Sequence, residues 1–324
     1  MLSYVKRLEV FMEIFLSALQ GVLEVIIVIA IGYYLSYKGW FHNNTADLFA
    51  KIVLNLSLPL NIIVNISSFF TKKELLISLK GLIIPFLSIL LAYFIGYLLY
   101  EIFNIKEGKR GLFSGIFSLS NSIFIGLPMS QALFGEIATP YTLLYYMVNT
   151  TIWWTLGVYG IVLDTQRGKE KIWEILKRIL NPPFLGFLFG IVLIISSIKI
   201  PKFIFESFKL IGNLTIPLSL FYIGIIIYEM GFKKFKIDKD TILIFLGRFI
   251  VSPALVILLN FIMPLPKLMR DVFIIMSAMP AMVNSAIVSR IYGGDYEFAV
   301  KMITYTTILS IIIMPFLMVL IRII

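Results

Sequence analysis

Long apolar runs alternate with short polar segments along the whole chain. Each run is about as long as the helix of roughly 20 residues that crosses a bilayer. Ten spans are predicted, at 14–36, 46–69, 77–103, 111–134, 138–163, 182–198, 203–228, 241–263, 268–291 and 298–321, with the sixth short for a membrane crossing. Residues 1–13 form a short amphipathic lead-in. The pattern predicts an all-α polytopic membrane protein.

Polar residues, glycine and proline interrupt spans four and nine. The fourth contains Ser-Leu-Ser-Asn-Ser-Ile-Phe-Ile-Gly-Leu-Pro-Met at 118–129, and the ninth contains Ser-Ala-Met-Pro-Ala-Met-Val-Asn-Ser at 277–285. Proline has no amide hydrogen and clashes with the preceding turn, so each helix gives up hydrogen bonds there. Such a break persists only where the freed groups face protein, water or a ligand. Paired interruptions in the two halves of a membrane chain indicate a transporter's binding site.

An internal repeat supports the count of ten spans. Asn-Leu-Ser-Leu-Pro-Leu at 55–60 recurs as Asn-Leu-Thr-Ile-Pro-Leu at 213–218, an offset of 158 residues. The same offset aligns Gly32 with Gly190, Lys109 with Lys267, and Leu133–Gly135 with Ile291–Gly293. Five spans per half is an odd number, so the halves enter the membrane from opposite sides as an inverted repeat. The predicted units are residues 1–163, a basic loop at 164–181, and residues 182–324.

Positive charge orients the chain. Of its 28 lysines and arginines, sixteen fall on one side of the ten-span arrangement and eleven on the other, and Arg248 lies within a span. Cytoplasmic loops carry the excess of these residues. The loop 164–181 is the most basic, so it is predicted to be cytoplasmic and both termini extracytoplasmic, in a multi-pass protein of the cell membrane.

Composition excludes several classes of function. The chain is 60% hydrophobic and 14% charged, and its net charge of +10 sits in loops that set topology, so nucleic acid is not an expected partner. It has no cysteine and a single histidine, His42, so neither a metal site nor a cofactor is expected. The spans lack the nucleophile and base of an enzyme, and the chain lacks a nucleotide-binding loop. We therefore expect no enzymatic activity, and we expect the protein to lie in a lipid bilayer.

The motifs resemble the auxin efflux carrier family, which includes the plant PIN-FORMED proteins and prokaryotic members. The resemblance covers essentially the whole chain. It rests on Leu-Ser-Leu-Pro-Leu in span two, Asn-Ser-x-Phe-x-Gly-Leu-Pro in span four, Asn-Pro-Pro opening span six, Thr-Ile-Pro-Leu-Ser in span seven and Met-Pro-Ala-x-x-Asn-Ser in span nine.

The resemblance implies a fold similar to the bile acid sodium symporters, with a scaffold of spans 1, 2, 6 and 7 and a transport domain of spans 3–5 and 8–10. Spans four and nine would cross at Pro128 and Pro280, with Asn121 and Asn284 facing a small organic anion such as a carboxylate. It also implies alternating access and a homodimer. One departure is that proline and asparagine occur in opposite order in the two halves. The plant proteins' long loop after span five is also shortened here.

The residues by themselves agree with an anion site. Half-helices starting at Pro128 and Pro280 would leave their first amides unpaired, with the positive end of each helix dipole at the break. Asn121 and Asn284 could donate to the anion, and the alternative is that they only cap the broken helices. Ser122, Ser285 and Tyr146 are further candidates for the same site. Tyr145, Asn149, Thr304, Thr306 and Thr307 would either line the cavity or join helices by hydrogen bonds.

Two other sets of residues are open to two interpretations. Ser57 and Thr215 occupy repeat-related positions, where a packing seam is favoured over substrate contact. Glu24 and Arg248 lie inside spans, where ionisable residues are functional suspects. They are predicted to pair between scaffold and transport domain, or Glu24 takes part in proton coupling. Alternatively, Glu24 faces a water-filled crevice and Arg248 reaches to the inner surface.

The sequence leaves three functions to compare. The first is a secondary carrier of a small organic anion. The second is a sodium-coupled symporter of the bile acid type, which would need a cage of carbonyls and acidic or amide groups, and the breaks contain no Asp or Glu. The third is an intramembrane enzyme or receptor, for which the chain offers neither a catalytic set nor a soluble output domain.

Overall fold

The computed structural model describes residues 2–105, 108–165, 180–231 and 237–323. Most of the basic loop predicted at 164–181 lies outside these ranges. The regular secondary structure of the described residues is helical, apart from one isolated antiparallel bridge between Ser120 and Ala281. The predicted all-α class is therefore confirmed.

Seventeen α-helices are described, several of them joined end to end. They are α1 (Leu2–Tyr37), α2 (Asn43–Ile52), α3 (Leu58–Phe69), α4 (Lys72–Gly81), α5 (Ile83–Ile102), α6 (Arg110–Ser118), α7 (Gly126–Phe134), α8 (Thr139–Ile152), α9 (Val158–Asp164), α10 (Pro182–Ile195), α11 (Lys202–Gly212), α12 (Thr215–Met230), α13 (Lys239–Leu246), α14 (Ser252–Ile262), α15 (Lys267–Ser277), α16 (Asn284–Tyr292) and α17 (Tyr296–Ile323). One π-helical turn joins each of the pairs α2–α3, α8–α9 and α13–α14, at Val53–Ser57, Trp153–Gly157 and Gly247–Val251.

Six helical stretches of the described residues are long and apolar enough to cross a membrane. They are Leu19–Tyr37, Asn44–Phe69, Lys72–Ile102, Lys202–Glu229, Lys239–Ile262 and Tyr296–Arg322. These six coincide with predicted spans 1, 2, 3, 7, 8 and 10. The chain is thus a multi-pass membrane protein. The residues of the predicted sixth span form the shorter apolar helix α10, and those of the predicted fourth and ninth spans form two short helices each, α6 with α7 and α15 with α16.

Burial separates an outer shell of helices from a central group. Large apolar side chains on the outer helices point away from the protein, with Phe203, Leu210, Phe261 and Ile262 each at least 70% exposed. In a bilayer these side chains contact acyl chains. By contrast, every residue of α6 from Gly111 to Ser118 is buried. Since α6 carries no outward face, the predicted fourth span begins inside the protein.

A contact between two glycines lets α6 and α9 approach closely. A Cβ added to Gly111 would lie 2.1 Å from the carbonyl carbon of Gly160, so the backbones touch. Small residues commonly permit such contacts between membrane helices. The carboxylate of Asp164 then accepts hydrogen bonds from the amides of Gly111 and Leu112, both at 3.0 Å. Asp164 therefore satisfies donors that the first turn of α6 leaves free.

Ion pairs tie several loops together on one face of the protein. Lys109, before α6, pairs with Asp240 in α13 at 2.8 Å, and Lys301 in α17 pairs with Asp238. Burial raises the pKa of Asp238, but hydrogen bonds from Lys301 and Thr241 outweigh it and lower the pKa to about 2. The Asp238 carboxylate is therefore ionised at neutral pH. The first residues of α6, α13 and α17, with the residues just before them, are therefore held together on one face.

Candidate functional site

The two interrupted segments lie against each other. The chain is not helical at 119–125, between α6 and α7, or at 278–283, between α15 and α16. The backbone amide of Asn121 donates to the carbonyl of Pro280 at 2.8 Å, beside the bridge between Ser120 and Ala281. We call these two non-helical segments the crossing. Each one satisfies part of the hydrogen bonding that the other has lost.

The prediction that each following half-helix starts at its proline is wrong. α7 begins at Gly126, so Pro128 is its third residue, and α16 begins at Asn284, four residues after Pro280. Pro128 is tolerated because amides in a first helical turn have no helical acceptor. Pro280 instead lies in the non-helical segment, next to the bridge residue Ala281, and its carbonyl accepts the bond from Asn121.

Side chains from the next helices satisfy further backbone groups of the crossing. Asn149 in α8 accepts from the amide of Ser120 at 3.1 Å and donates to its carbonyl at 2.9 Å. Thr306 in α17 accepts from the amide of Ala281 at 3.0 Å. Asn149 and Thr306 are both fully buried. The sequence left open whether Asn149 and Thr306 line the cavity or join helices by hydrogen bonds. The contacts observed are hydrogen bonds of the second kind.

The guanidinium of Arg248 lies on the crossing and is fully buried. It donates to the carbonyl of Met279 at 2.8 and 3.0 Å, to that of Ser277 at 2.5 Å and to that of Phe117 at 3.4 Å. These carbonyls belong to the ends of α15 and α6 and to the segment after α15. One side chain therefore joins both halves of the crossing.

The structure does not pair Glu24 with Arg248. Glu24 is exposed on α1, and no salt bridge joins the two among the described residues. Arg248 also does not reach towards the inner surface, because the carbonyls of the crossing take its donors. Hydrogen bonds that a broken helix loses must be replaced within the protein, and this need determines where Arg248 points.

A cavity of about 340 Å³ opens beside the crossing. The crossing contributes Asn121 and Ser122, α16 contributes Asn284, α8 contributes Tyr146 and Thr150, and α2 contributes Asp47 and Lys51. Asn181, just before α10, lines it as well, so the opening lies at the end of the protein next to the loop 164–181. The volume is within the usual range of small-molecule sites, about 300–1,000 Å³.

Several hydrogen-bond donors of the residues that line the cavity have no partner among the described residues. The side-chain nitrogen Nδ2 of Asn121 is buried without an acceptor, while its Oδ1 accepts from the amide of Phe124 at 3.2 Å. The amides of Met282 and Val283, just before α16, and of Asn284, its first residue, also donate to no atom of the described residues. Unpaired amides at the positive end of a helix dipole favour an anion.

Comparison with known proteins identifies the family of this chain. A family model described as membrane transport protein matches residues 17–318, which is nearly the whole chain. The chain belongs to this family, that of the auxin efflux carriers. An uncharacterized transporter of Methanocaldococcus jannaschii is 27% identical over 90% of this chain and 95% of its own. A second, of Methanothermobacter thermautotrophicus, is 23% identical over 93% of this chain and 98% of its own.

The structure of this membrane transport protein gathers some of the predicted site residues and separates others. Asn121, Ser122, Tyr146 and Asn284 line the same cavity. Pro128, Pro280 and Ser285 do not line it, although each lies in or next to the crossing. Ser57 and Thr215 are fully buried elsewhere and hydrogen-bond to each other at 3.1 Å between their hydroxyls. This contact is of the kind expected from the packing seam that the sequence favoured for Ser57 and Thr215.

Sequence reasoning missed the polar residues at the cavity opening. Asp47, Lys51 and Asn55, from α2 and its π-helical turn, and Trp154 in the turn after α8 all line the cavity of this transporter. From the sequence, Lys51 was counted only as part of the loop charge. The spacing of Asp47 and Lys51 by one helical turn was a usable signal, since residues four apart share a helix face.

The described residues of the transporter offer little to a metal ion. They contain no group of three or more histidine, cysteine, aspartate or glutamate side chains close enough to hold one. The cavity wall carries one acidic and one basic side chain, Asp47 and Lys51, and its other polar lining groups are neutral. Selection for an anion would therefore depend on the unpaired donors more than on an excess of positive side chains.

Proposed function

We propose that this membrane transport protein is a secondary carrier that moves a small organic anion, such as a carboxylate or an auxin-like acid, by alternating access. The anion binds in the cavity beside the crossing. The observation that carries the proposal is the buried, unpaired Nδ2 of Asn121, next to the unpaired amides that begin α16. A buried donor without a partner costs about 1–3 kcal/mol, and a carboxylate would remove that cost.

The proposal includes two inverted five-span repeats. Gly32 in α1 packs against Phe221 in α12, and Gly190 in α10 packs against Ile66 in α3, with the Cα of Ile63 a little further away. Residues 32 and 190 differ by 158 positions, as do residues 63 and 221, so the same contact occurs twice at the offset of the sequence repeat. This supports a pseudo-two-fold axis. Since each half holds an odd number of spans, the axis would lie in the membrane plane.

Helix ends repeat at the same offset. α7 and α16 begin at residues 126 and 284 and end at 134 and 292. Each is followed by a glycine with positive φ, Gly135 at 79° and Gly293 at 78°. Glycine adopts a positive φ at little cost, so both helices end at a residue type suited to it, although ψ differs, 178° at Gly135 and 24° at Gly293. The repeated helix ends support the view that spans four and nine are equivalent broken helices.

A division into scaffold and transport domain follows from this symmetry. The paired glycine contacts join spans 1 and 7 and spans 2 and 6, which we assign to the scaffold. Hydrogen bonds from Asn149, Arg248 and Thr306 join spans 5, 8 and 10 to the crossing, so these spans would move with it. The cavity lies between the two groups, with α2 on one side and the crossing on the other.

The positive-inside count assigns the cavity opening to the cytoplasm. On that assignment the conformation described is inward-facing, and both termini are extracytoplasmic. The homodimer suggested by the family resemblance and the absence of enzymatic activity remain predictions. A sodium-coupled symporter is the second candidate function, because backbone carbonyls at broken helices are common sodium ligands in transporters.

Uptake into proteoliposomes tests the proposed function. The purified protein is reconstituted and challenged with labelled small carboxylates, an auxin-like aromatic acid, and uncharged and cationic analogues of similar size, each with and without proton and sodium gradients. We expect saturable uptake of at least one carboxylate, and none of the matched amide or amine. Uptake of the neutral analogue at the same rate as its acid would contradict an anion carrier.

A further inference from the structure

The cation at the crossing is a side chain of the protein. Three carbonyls converge there, from Phe117 at the end of α6, Ser277 at the end of α15, and Met279 in the following segment. All three accept hydrogen bonds from Arg248. None of the described salt bridges involves Arg248, so the carbonyls are its partners. The negative end of a helix dipole favours a cation in this position.

The local structure brings the guanidinium to this point. Arg248 follows Gly247 in the π-helical turn between α13 and α14, and a Cβ at Gly247 would lie 2.3 Å from the ring of Phe117. The missing side chain therefore lets α13 reach the end of α6. The planar guanidinium carries five donors in a fixed fork and is weakly hydrated, so it can serve several buried carbonyls where a lysine ammonium serves fewer.

Converging carbonyls are also what a buried sodium ion needs. Unwound backbone carbonyls and the carboxyl ends of half-helices coordinate sodium in many broken-helix transporters. A site already filled by a guanidinium has neither the oxygens nor the charge balance to accept a second cation, because the two positive charges would repel in a medium of low dielectric constant.

We propose that Arg248 is the resident cation of the crossing and takes the place of a coupling sodium ion, so that the crossing assembles without sodium and transport is sodium independent. Arg248 is a positioning residue. It holds the carbonyl of Met279, and the next carbonyl, of Pro280, accepts from the amide of Asn121, a residue that lines the cavity. The inference deepens the proposed function and depends on it only for the transport measurement.

The test compares wild type, Arg248→Met and Arg248→Lys in sodium chloride and in choline chloride at equal ionic strength. The melting temperature of the purified protein and the uptake rate are measured in each salt. For wild type, both should be the same in the two salts. Arg248→Met should lose at least about tenfold in uptake, since several hydrogen bonds to a charged group disappear, and its melting temperature should rise selectively in sodium. Arg248→Lys should recover part of the uptake.

Arg322→Met, at an exposed position in the last turn of α17, is the control for loss of a positive charge and should behave as wild type in both salts. Sodium-stimulated uptake or sodium-stabilised folding of wild type would overturn the proposal. So would Arg248→Met matching wild type in both measurements. If Arg248→Met does not fold, the measurements on wild type and Arg248→Lys still test the proposal. A sodium requirement in either protein would contradict a resident cation. If no carboxylate is carried, the proposed function fails, and the melting temperatures still test Arg248.

Discussion

Replacing Asn121 by alanine is expected to lower carboxylate uptake at least about tenfold. Asn121 lines the cavity, and its side-chain nitrogen Nδ2 is a buried donor without a partner among the described residues; in an anion carrier we expect its acceptor to be the transported anion. A hydrogen bond to a charged group contributes about 1.5–3 kcal/mol, which is tenfold or more in a binding constant. The measurement is the initial rate of uptake into proteoliposomes, normalised to the amount of reconstituted protein.

Two further variants separate substrate contact from a structural role. The Oδ1 atom of Asn121 also accepts a hydrogen bond from the amide of Phe124. Asn121→Ser keeps an acceptor for this turn and removes Nδ2. We expect Asn121→Ser to lose uptake as Asn121→Ala does. Asn44→Ala, at an exposed position in α2, should transport normally. Recovery of uptake in Asn121→Ser would assign Asn121 to the turn alone and contradict direct contact.

Gly111→Ala is expected to prevent folding or to reduce stability by about 3 kcal/mol, the upper part of the usual range for overpacking. The added Cβ would lie 2.1 Å from the carbonyl carbon of Gly160, and the obstacle is backbone that cannot rotate away. Separating α6 from α9 would also pull the amides of Gly111 and Leu112 from Asp164. The yield of monodisperse protein in detergent and its melting temperature measure the effect.

Gly115→Ala is the matched control, one turn further along α6. A Cβ at Gly115 would meet only the ring of Trp153, at 3.7 Å, which is an ordinary contact. It should therefore fold with a melting temperature close to that of wild type. Equal stability of Gly111→Ala and Gly115→Ala would show that α6 and α9 do not approach as described.

The sequence was sufficient to locate the crossing because its signals are local. Proline and glycine within an apolar span indicate that the helix loses backbone hydrogen bonds there. The segments around Asn121 and Pro280 were identified from this signal. The family, the helical class and the spans that proved long enough also followed from patterns along the chain. The contact of Ser57 with Thr215 joins residues at the repeat offset, so the repeat was informative about packing as well.

The rest depended on long-range geometry. The half-helices do not begin at their prolines, and the carbonyl of Pro280 bonds instead to the amide of Asn121 from the other half of the chain. Arg248 was expected to reach Glu24 or the inner surface, since the sequence does not reveal that the carbonyls of Phe117, Ser277 and Met279 converge. The one-turn spacing of Asp47 and Lys51 indicated a shared helix face, but which helices that face meets depended on the same long-range geometry.

The most direct test of the central claim uses a single cysteine at the cavity, since the natural chain contains none. In Asn55→Cys the thiol would line the opening of the cavity, at an exposed position. A membrane-impermeant thiol reagent is added to one face at a time, with and without a saturating transported carboxylate. We predict reaction from the face that carries the loop 164–181, slowed several-fold by the carboxylate. Reaction only from the opposite face, or a rate unaffected by the carboxylate, would contradict an anion site in this cavity.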